Sequence, residues 1–397
     1  MLKVPAGEIA DRIVTLQSLL LENDVDAAVI RQNADLYYFS GTVQDAHLIV
    51  PAAGRPVYMV RRSVERAENQ SPLRPIVPLA SMKELPPAVF DACGARTPLR
   101  LGFELDVLPA NAFFFYDEQL FPKQRIVDIG GLIRQVRSVK SPWEVDVMRR
   151  AGDISRAVAD AVPGILQEGM TEFELAGELE RVARKAGSLE IIRTRTFNME
   201  MGFGHILSGP DAAVPSYTDT PTGGPGTSPA FGQGPGTRRI RANEIVNVDT
   251  MVSCHGYLND QTRNFCLGRP PSEILEAYRF VQSAHERFRE LAKPGSITGK
   301  LYETVLQWAD DAGWASFFMG WNDSRVTFVG HGLGLEVDEF PFIARGHTLA
   351  LREGMTFAFE PKVIIPDVGI AGLENTYVVT EAGLESLNTA SEDLLVL

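Results

Sequence analysis

Five residues in the second half of this chain have types and positions suited to metal chemistry: Asp249, Asp260, His331, Glu360 and Glu374. The four carboxylates lie on strand-like runs rich in Val, Ile, Phe and Met. Ile245 to Val252 and Tyr257 to Leu267 flank Cys254-His255-Gly256, so a hairpin centred there sets position 249 opposite position 260. Opposed residues of an antiparallel pair share a face of the sheet. Thr356 to Ile364 and Leu373 to Thr380 flank Pro366-Asp367-Val368-Gly369, and pairing about Asp367 sets Glu360 opposite Glu374. No Lys or Arg is regularly interleaved with the four acids, although Lys362 and Arg263 stand two and three positions from them. A buried carboxylate needs a compensating positive charge. A pair of divalent cations answers that need, and oxygen ligands with one imidazole suit Mn, Fe, Co or Zn. A single acid on a solvated strand face implies no metal; four in mirrored positions, with a histidine between the pairs, imply a shared site.

The elements that must position these residues can be read around them. Ser141-Pro142-Trp143-Glu144 is a capping box with proline at the first helical position, so a long helix begins there, with Val145, Met148, Ala151 and Ile154 on its apolar face. Thr171 and Glu174 cap a second helix through Ala186, and two more are predicted over Ser272 to Lys293 and Thr298 to Ala312. A helix pair, strands, a helix pair and strands again describe an internally duplicated α+β domain over residues 139–397. Residues 1–138 alternate helix and strand signals instead: a helix over Ala6 to Glu22, a strand over Ala27 to Ile30, a hairpin about Ala53-Gly54, and strands at Leu99 to Phe103 and Ile126 to Ile129. That is an α/β pattern on the scale of one domain, and its single histidine, His47, reads as structural.

Between the second helix and the first acid, Pro221 to Gly236 holds four Pro and six Gly in sixteen residues. It is a loop and a candidate lid. Its glycine runs lack the Lys-Ser/Thr and the preceding apolar strand of a phosphate loop.

At 397 residues the chain is long enough for two domains, and its net charge of -13 argues against nucleic acid or an anionic membrane surface as partner. No run approaches the roughly 18 apolar residues of a membrane span, and the amino terminus carries no export signal, so a cytoplasmic location is expected. Cys93, Cys254 and Cys266 form neither a disulfide framework nor a zinc signature.

Several of these segments resemble the pita-bread metallopeptidases of family M24, above all prolidase, aminopeptidase P and creatinase-like members. They are Val248-Asp249, Tyr257-Leu258-Asn259-Asp260-Gln261-Thr262-Arg263, Gly330-His331-Gly332-Leu333-Gly334-Leu335-Glu336, Phe359-Glu360-Pro361 and Leu373-Glu374-Asn375-Thr376. Arg137 to Glu144 is similar to the family's interdomain linker, and the first domain resembles the creatinase-type N-terminal domain. The resemblance implies two Mn, Co, Fe or Zn ions, with Asp249 and Asp260 on one and Asp260, His331, Glu360 and Glu374 on the other. It implies a hydroxide between the ions attacking the amide bond of a Xaa-Pro peptide, Glu360 moving a proton, and a homodimer.

Three positions depart from the prolidase pattern. Seven residues after His331 stands Asp338 instead of a histidine, Gly372 replaces an arginine two residues before Glu374, and the upstream histidine is missing. His205 and Tyr217 are the spare polar candidates. Asp338 as a base or a binder of positive charge opens a second expectation: creatinase-like C–N hydrolysis, or a lyase step, on a small cationic substrate. A non-catalytic module on the same scaffold is a third, weakened because all five ligands are present.

Overall fold

The computed structural model describes residues 2–94, 97–189 and 191–397. The chain divides into two units, Met1–Arg137 and Ser138–Leu397. In the first, a helix over Ala6–Glu22 buries Ile9, Ile13, Leu16 and Leu20, the face that its apolar spacing predicts. Strands β1 (Ala27–Ile30), β2 (Ala46–Pro51), β3 (Val57–Val60), β4 (Ile76–Pro78), β5 (Arg100–Phe103) and β6 (Arg125–Asp128) form one mixed sheet in the order β4-β3-β2-β1-β5-β6. His47 is buried in this unit, its Nε2 lying 2.6 Å from the Tyr116 hydroxyl and 3.0 Å from Arg31 Nη1. Burial, then the charges of Arg31 and Arg61, push its pKa down to about 3. A neutral, hydrogen-bonded core histidine is the structural role expected of it.

In the second unit both capping boxes form. Ser141 Oγ accepts from Glu144 N while Glu144 returns a carboxylate to Ser141 N, and Thr171 and Glu174 repeat the exchange. The helices they start run over Pro142–Ile165 and Glu172–Lys185; the later pair covers Ser272–Leu291 and Thr298–Asp311. The strands are β7 (Gly204–Ser208), β8 (Ile245–Cys254), β9 (Tyr257–Cys266), β10 (Phe328–Leu333), β11 (Val337–Ala344), β12 (Thr356–Phe359), β13 (Lys362–Ile365), β14 (Gly369–Gly372) and β15 (Glu374–Thr380). The main sheet runs β11-β10-β12-β15-β9-β8-β7, and β13 and β14 form a separate two-stranded hairpin. Each half has its own core. Ile154, Val158, Leu175 and Leu179 pack with Ile206, Val246 and Val252, while Val281, Phe288 and Val305 pack with Val329, Phe357 and Tyr377. The halves meet at a seam where β15 pairs with β9, Glu374 opposite Thr262 and Asn375 opposite Gln261.

The register of the first hairpin differs from the sequence expectation. Asp249 faces Thr262 and Asp260 faces Met251, because the turn is the two residues His255-Gly256, closed by the Cys254–Tyr257 pair. Both turn residues take positive φ, 48° and 91°, as hairpin turns that follow the strand twist require. Moving the turn centre by one residue moves the register by two, which leaves every side chain on its expected face. The second hairpin keeps the expected register but is interrupted. Phe359 faces Asn375 and Lys362 faces Gly372, with Glu360-Pro361 at the break between ladders.

His285 supports the seam from the helix side. Its Nε2 is 2.9 Å from the Leu373 carbonyl, one residue before Glu374, and its Nδ1 is 3.0 Å from the Tyr377 hydroxyl. Burial is the main reason its pKa falls to about 3. The unfolded chain takes up this proton near pH 6.5 and the folded chain does not, so the stabilisation present above pH 6.5 is lost as pH falls toward 3. The expected slope from this group is roughly 1.4 kcal/mol per pH unit. Denaturant unfolding of His285→Gln between pH 6 and 4 is expected to show a correspondingly flatter loss than the native chain; equal slopes would exclude the assignment.

Candidate metal centre

One face of the main sheet gathers the predicted residues. His205 faces Asp249 across β7 and β8, and Thr262, facing Asp249 in turn, also faces Glu374 across the seam. His331 faces Ala358, two residues before Glu360. His331 Nε2 has around it Glu360 Oε1 at 3.6 Å, Asp260 Oδ2 at 3.8 Å and Glu374 Oε1 at 3.9 Å. Ligand atoms each about 2.1 Å from one ion lie roughly 3 to 4 Å from each other, so this spacing fits a shared cation. One ligand atom each of Asp260, His331 and Glu374 lies within 4.8 Å of the other two.

The carboxylates of the cluster repel one another. Burial, then the nearby Glu374, Asp249 and Glu360, push the Asp260 carboxyl well above its ordinary range. Burial is also the first cause at Glu374, whose pKa rises to about 7 despite the pull of Lys362. Burial alone would lower the His331 pKa, but Asp338, Glu360 and Glu374 outweigh it and raise it. Hydrogen bonds hold the ligands in place: Thr262 Oγ1 donates to Glu374 Oε2 at 2.8 Å, and Thr376 Oγ1 accepts from Asp260 N at 3.0 Å. His331 Nδ1 is 3.7 Å from Asp338 Oδ1 and 3.4 Å from the Gly332 carbonyl. Those acceptors favour the tautomer with its proton on Nδ1, leaving Nε2 free to ligate.

Two cations that the strand pattern did not assign complete the arrangement. Lys362 reaches into the cluster and donates to Glu360 Oε2 at 2.7 Å, Asp249 Oδ2 at 2.8 Å and Glu374 Oε2 at 3.4 Å. Burial opposes its charge, but the Asp249, Glu360 and Glu374 carboxylates hold its pKa well above the usual lysine value. The expectation of acids without a basic partner is therefore corrected: Lys362 stands two residues after Glu360, the spacing that keeps strand side chains on one face. Arg263 lies on the opposite face. Its guanidinium bonds the carbonyls of Thr262, Glu374 and Ala390 and the Asn375 side chain, pinning the seam from behind.

The cluster floors a cavity of about 220 Å³. Phe173, Met199, Met201, Phe203, Phe231 and Phe328 give it apolar walls. Thr227, Phe231, Gln233, Gly234 and Pro235 bring the Gly/Pro-rich segment to the lining, so that segment is a wall of the cavity. Bonds from Gly226 N to Gly234 O and from Gly234 N to Gly223 O fold it back on itself. Gln233, unmarked by any sequence motif, donates to the Glu200 carbonyl and accepts from Thr218, with His205 Nε2 3.3 Å from its oxygen. Burial lowers the His205 pKa. Asp338 lines the cavity; Tyr217 is exposed and is not among the lining residues. Gly372 leaves room for lysine, since a Cβ there would meet Lys362 Cγ at 3.0 Å.

Residues 146–381 match the model of metallopeptidase family M24, and residues 12–139 match that of the creatinase/prolidase N-terminal domain. The chain is 24% identical to a Xaa-Pro dipeptidase of Pyrococcus furiosus, over 97% of this chain and 99% of that one. It superposes on a Xaa-Pro dipeptidase from Bacillus anthracis with a TM-score of 0.82 at 23% identity, covering 98% of this chain and 100% of the other. For dipeptidase PepE from Mycobacterium ulcerans the TM-score is 0.79 at 25% identity, with 99% of each chain covered. The expected architecture, a pita-bread domain after a creatinase-type N-terminal domain, is thus borne out. Its metal-type donor set, fold and family matches agree: the chain belongs to metallopeptidase family M24.

Proposed function

We propose that the chain is a Xaa-Pro dipeptidase that uses divalent metal, Mn, Co, Fe or Zn, with Asp260, His331, Glu360 and Glu374 among its ligands. The observation that carries this is the convergence of three carboxylate oxygens within 3.9 Å of His331 Nε2 at the floor of a cavity. The names of its relatives give the substrate class. When bound, the ion supplies Lewis acidity to the scissile carbonyl and to the attacking water. The chain's residues do the rest. Asp338 and the Gly332 carbonyl lie at His331 Nδ1 and favour the tautomer that presents Nε2 to the ion, the apolar walls exclude bulk water, and Lys362 orients Asp249, Glu360 and Glu374 by donating to each. His205, which faces Asp249 and lines the cavity, is in this reading a substrate contact. A homodimer and a cytoplasmic location are further parts of this reading, and a solution mass of two chains would support the first.

Asp338 acts in this reading as a positioning residue for His331. Asp338→Asn is expected to weaken metal binding by roughly 10- to 100-fold, the usual cost of removing such a carboxylate; titration calorimetry with Mn measures it, and unchanged affinity would remove Asp338 from the site.

A second reading keeps the metal and changes the substrate to a small cation. It is favoured by the lining: Glu180, Asp219 and Asp338 are acids, and Lys362 is the only Lys or Arg among the described lining residues. One panel separates the two. Mn-, Co-, Fe- and Zn-loaded protein is assayed on Xaa-Pro dipeptides, Xaa-Pro-Yaa peptides, creatine and dimethylsulfoniopropionate. Turnover of the dipeptides is expected, and its absence in fully loaded protein would end the dipeptidase reading.

A further inference from the structure

We infer that the Lys362 ammonium permanently takes the place of one of the two cations that the sequence implies, so that the chain binds a single divalent ion. The inference rests on the metal-site reading above and fixes its stoichiometry.

The cluster has two positions, and the carboxylate oxygens divide between them. Glu360 Oε1, Glu374 Oε1 and Asp260 Oδ2 surround the His331 Nε2 side. Glu360 Oε2, Glu374 Oε2 and Asp249 Oδ2 surround Lys362 Nζ. An ammonium has three N–H donors, and three separate carboxylates receive them here. Asp249 Oδ2 and Glu374 Oε2, oxygens that a second divalent ion would need, are the ones that the ammonium already engages.

The lysine is built into its position. Its side chain is 1% exposed, its stem lies over Gly372 so closely that a Cβ there would meet Lys362 Cγ at 3.0 Å, and its backbone carbonyl accepts from Met319 N at 2.8 Å. Lys362 also faces Gly372 in the β13–β14 ladder, so the strand pairing fixes where the stem begins. The ammonium supplies part of the positive charge: four carboxylates, one ammonium and one divalent ion leave a net charge of -1, against zero for four carboxylates with two divalent ions.

Elemental analysis of the full chain, purified with excess Mn and freed of loose metal by gel filtration, is expected to give one equivalent per chain, and Lys362→Ala two. Two equivalents in the native chain would overturn the inference while leaving the metal site standing; none in either protein would overturn the site itself, and the inference with it. Anomalous diffraction from native crystals soaked in Mn counts the ions directly should the variant fail to fold. One peak, beside His331 Nε2, is expected; a second peak bonded to Asp249 would refute the inference.

Discussion

Asp260→Asn is expected to lower kcat/KM by at least about a thousandfold, equivalent to roughly 4 kcal/mol of lost transition-state stabilisation, and to raise the thermal stability of the metal-free protein. The two effects have opposite signs for one reason. Asp260 is buried with Glu360 and Glu374, with the half-buried Asp249 nearby, and burial together with those charges already pushes its carboxyl well above the ordinary range. An amide of the same shape removes that repulsion, and removing an uncompensated buried charge commonly stabilises. The same amide is a poor ligand, so bound metal should fall to near zero. Metal analysis, kinetics and a melting curve in chelator measure the three quantities. Metal retained at the native level, or a lower melting temperature without metal, would mean that Asp260 is not a strained ligand.

Arg263→Met is expected to produce the largest loss of stability of any single change on the sheet, about 3 to 5 kcal/mol, because it strips the partner from several buried acceptors at once. The guanidinium bonds Thr262 O and Glu374 O at 2.8 Å each, Asn375 Oδ1 at 2.8 Å and Ala390 O at 3.2 Å. Met fills much of the volume but offers no donor. For a unit of this size the melting temperature should fall by roughly 6 to 15 °C. Metal affinity should fall too, since Thr262 and Glu374 lie on the site face of the same seam. A loss below about 1 kcal/mol by denaturant unfolding would show that the seam does not depend on this residue.

What was legible in the sequence follows from which interactions are local. Ser141 with Glu144 and Thr171 with Glu174 satisfy helix ends within four residues, so those helix starts could be read directly. The four acids and His331 stood out because carboxylates on apolar strands need an explanation at any register. The register itself was less legible. It depended on recognising His255-Gly256 as a two-residue turn with both residues at positive φ, and the alternation of strand faces absorbed the error. Lys362 was visible only as a neighbour. Its role depends on the break at Glu360-Pro361 and on the space over Gly372 that its stem fills, which belong to the pairing of two strands rather than to either one. Arg263 and Gln233 serve the site from behind and from the side, through carbonyls and a loop wall that carry no sequence pattern.

The most direct test of the metal-dependent dipeptidase reading is the rate of Xaa-Pro dipeptide hydrolysis as Mn is returned to chelator-stripped native protein. Activity is predicted to be absent at the start and to rise in proportion to bound metal until the site is full. Full activity in the stripped protein, or a filled site with no turnover, would contradict it.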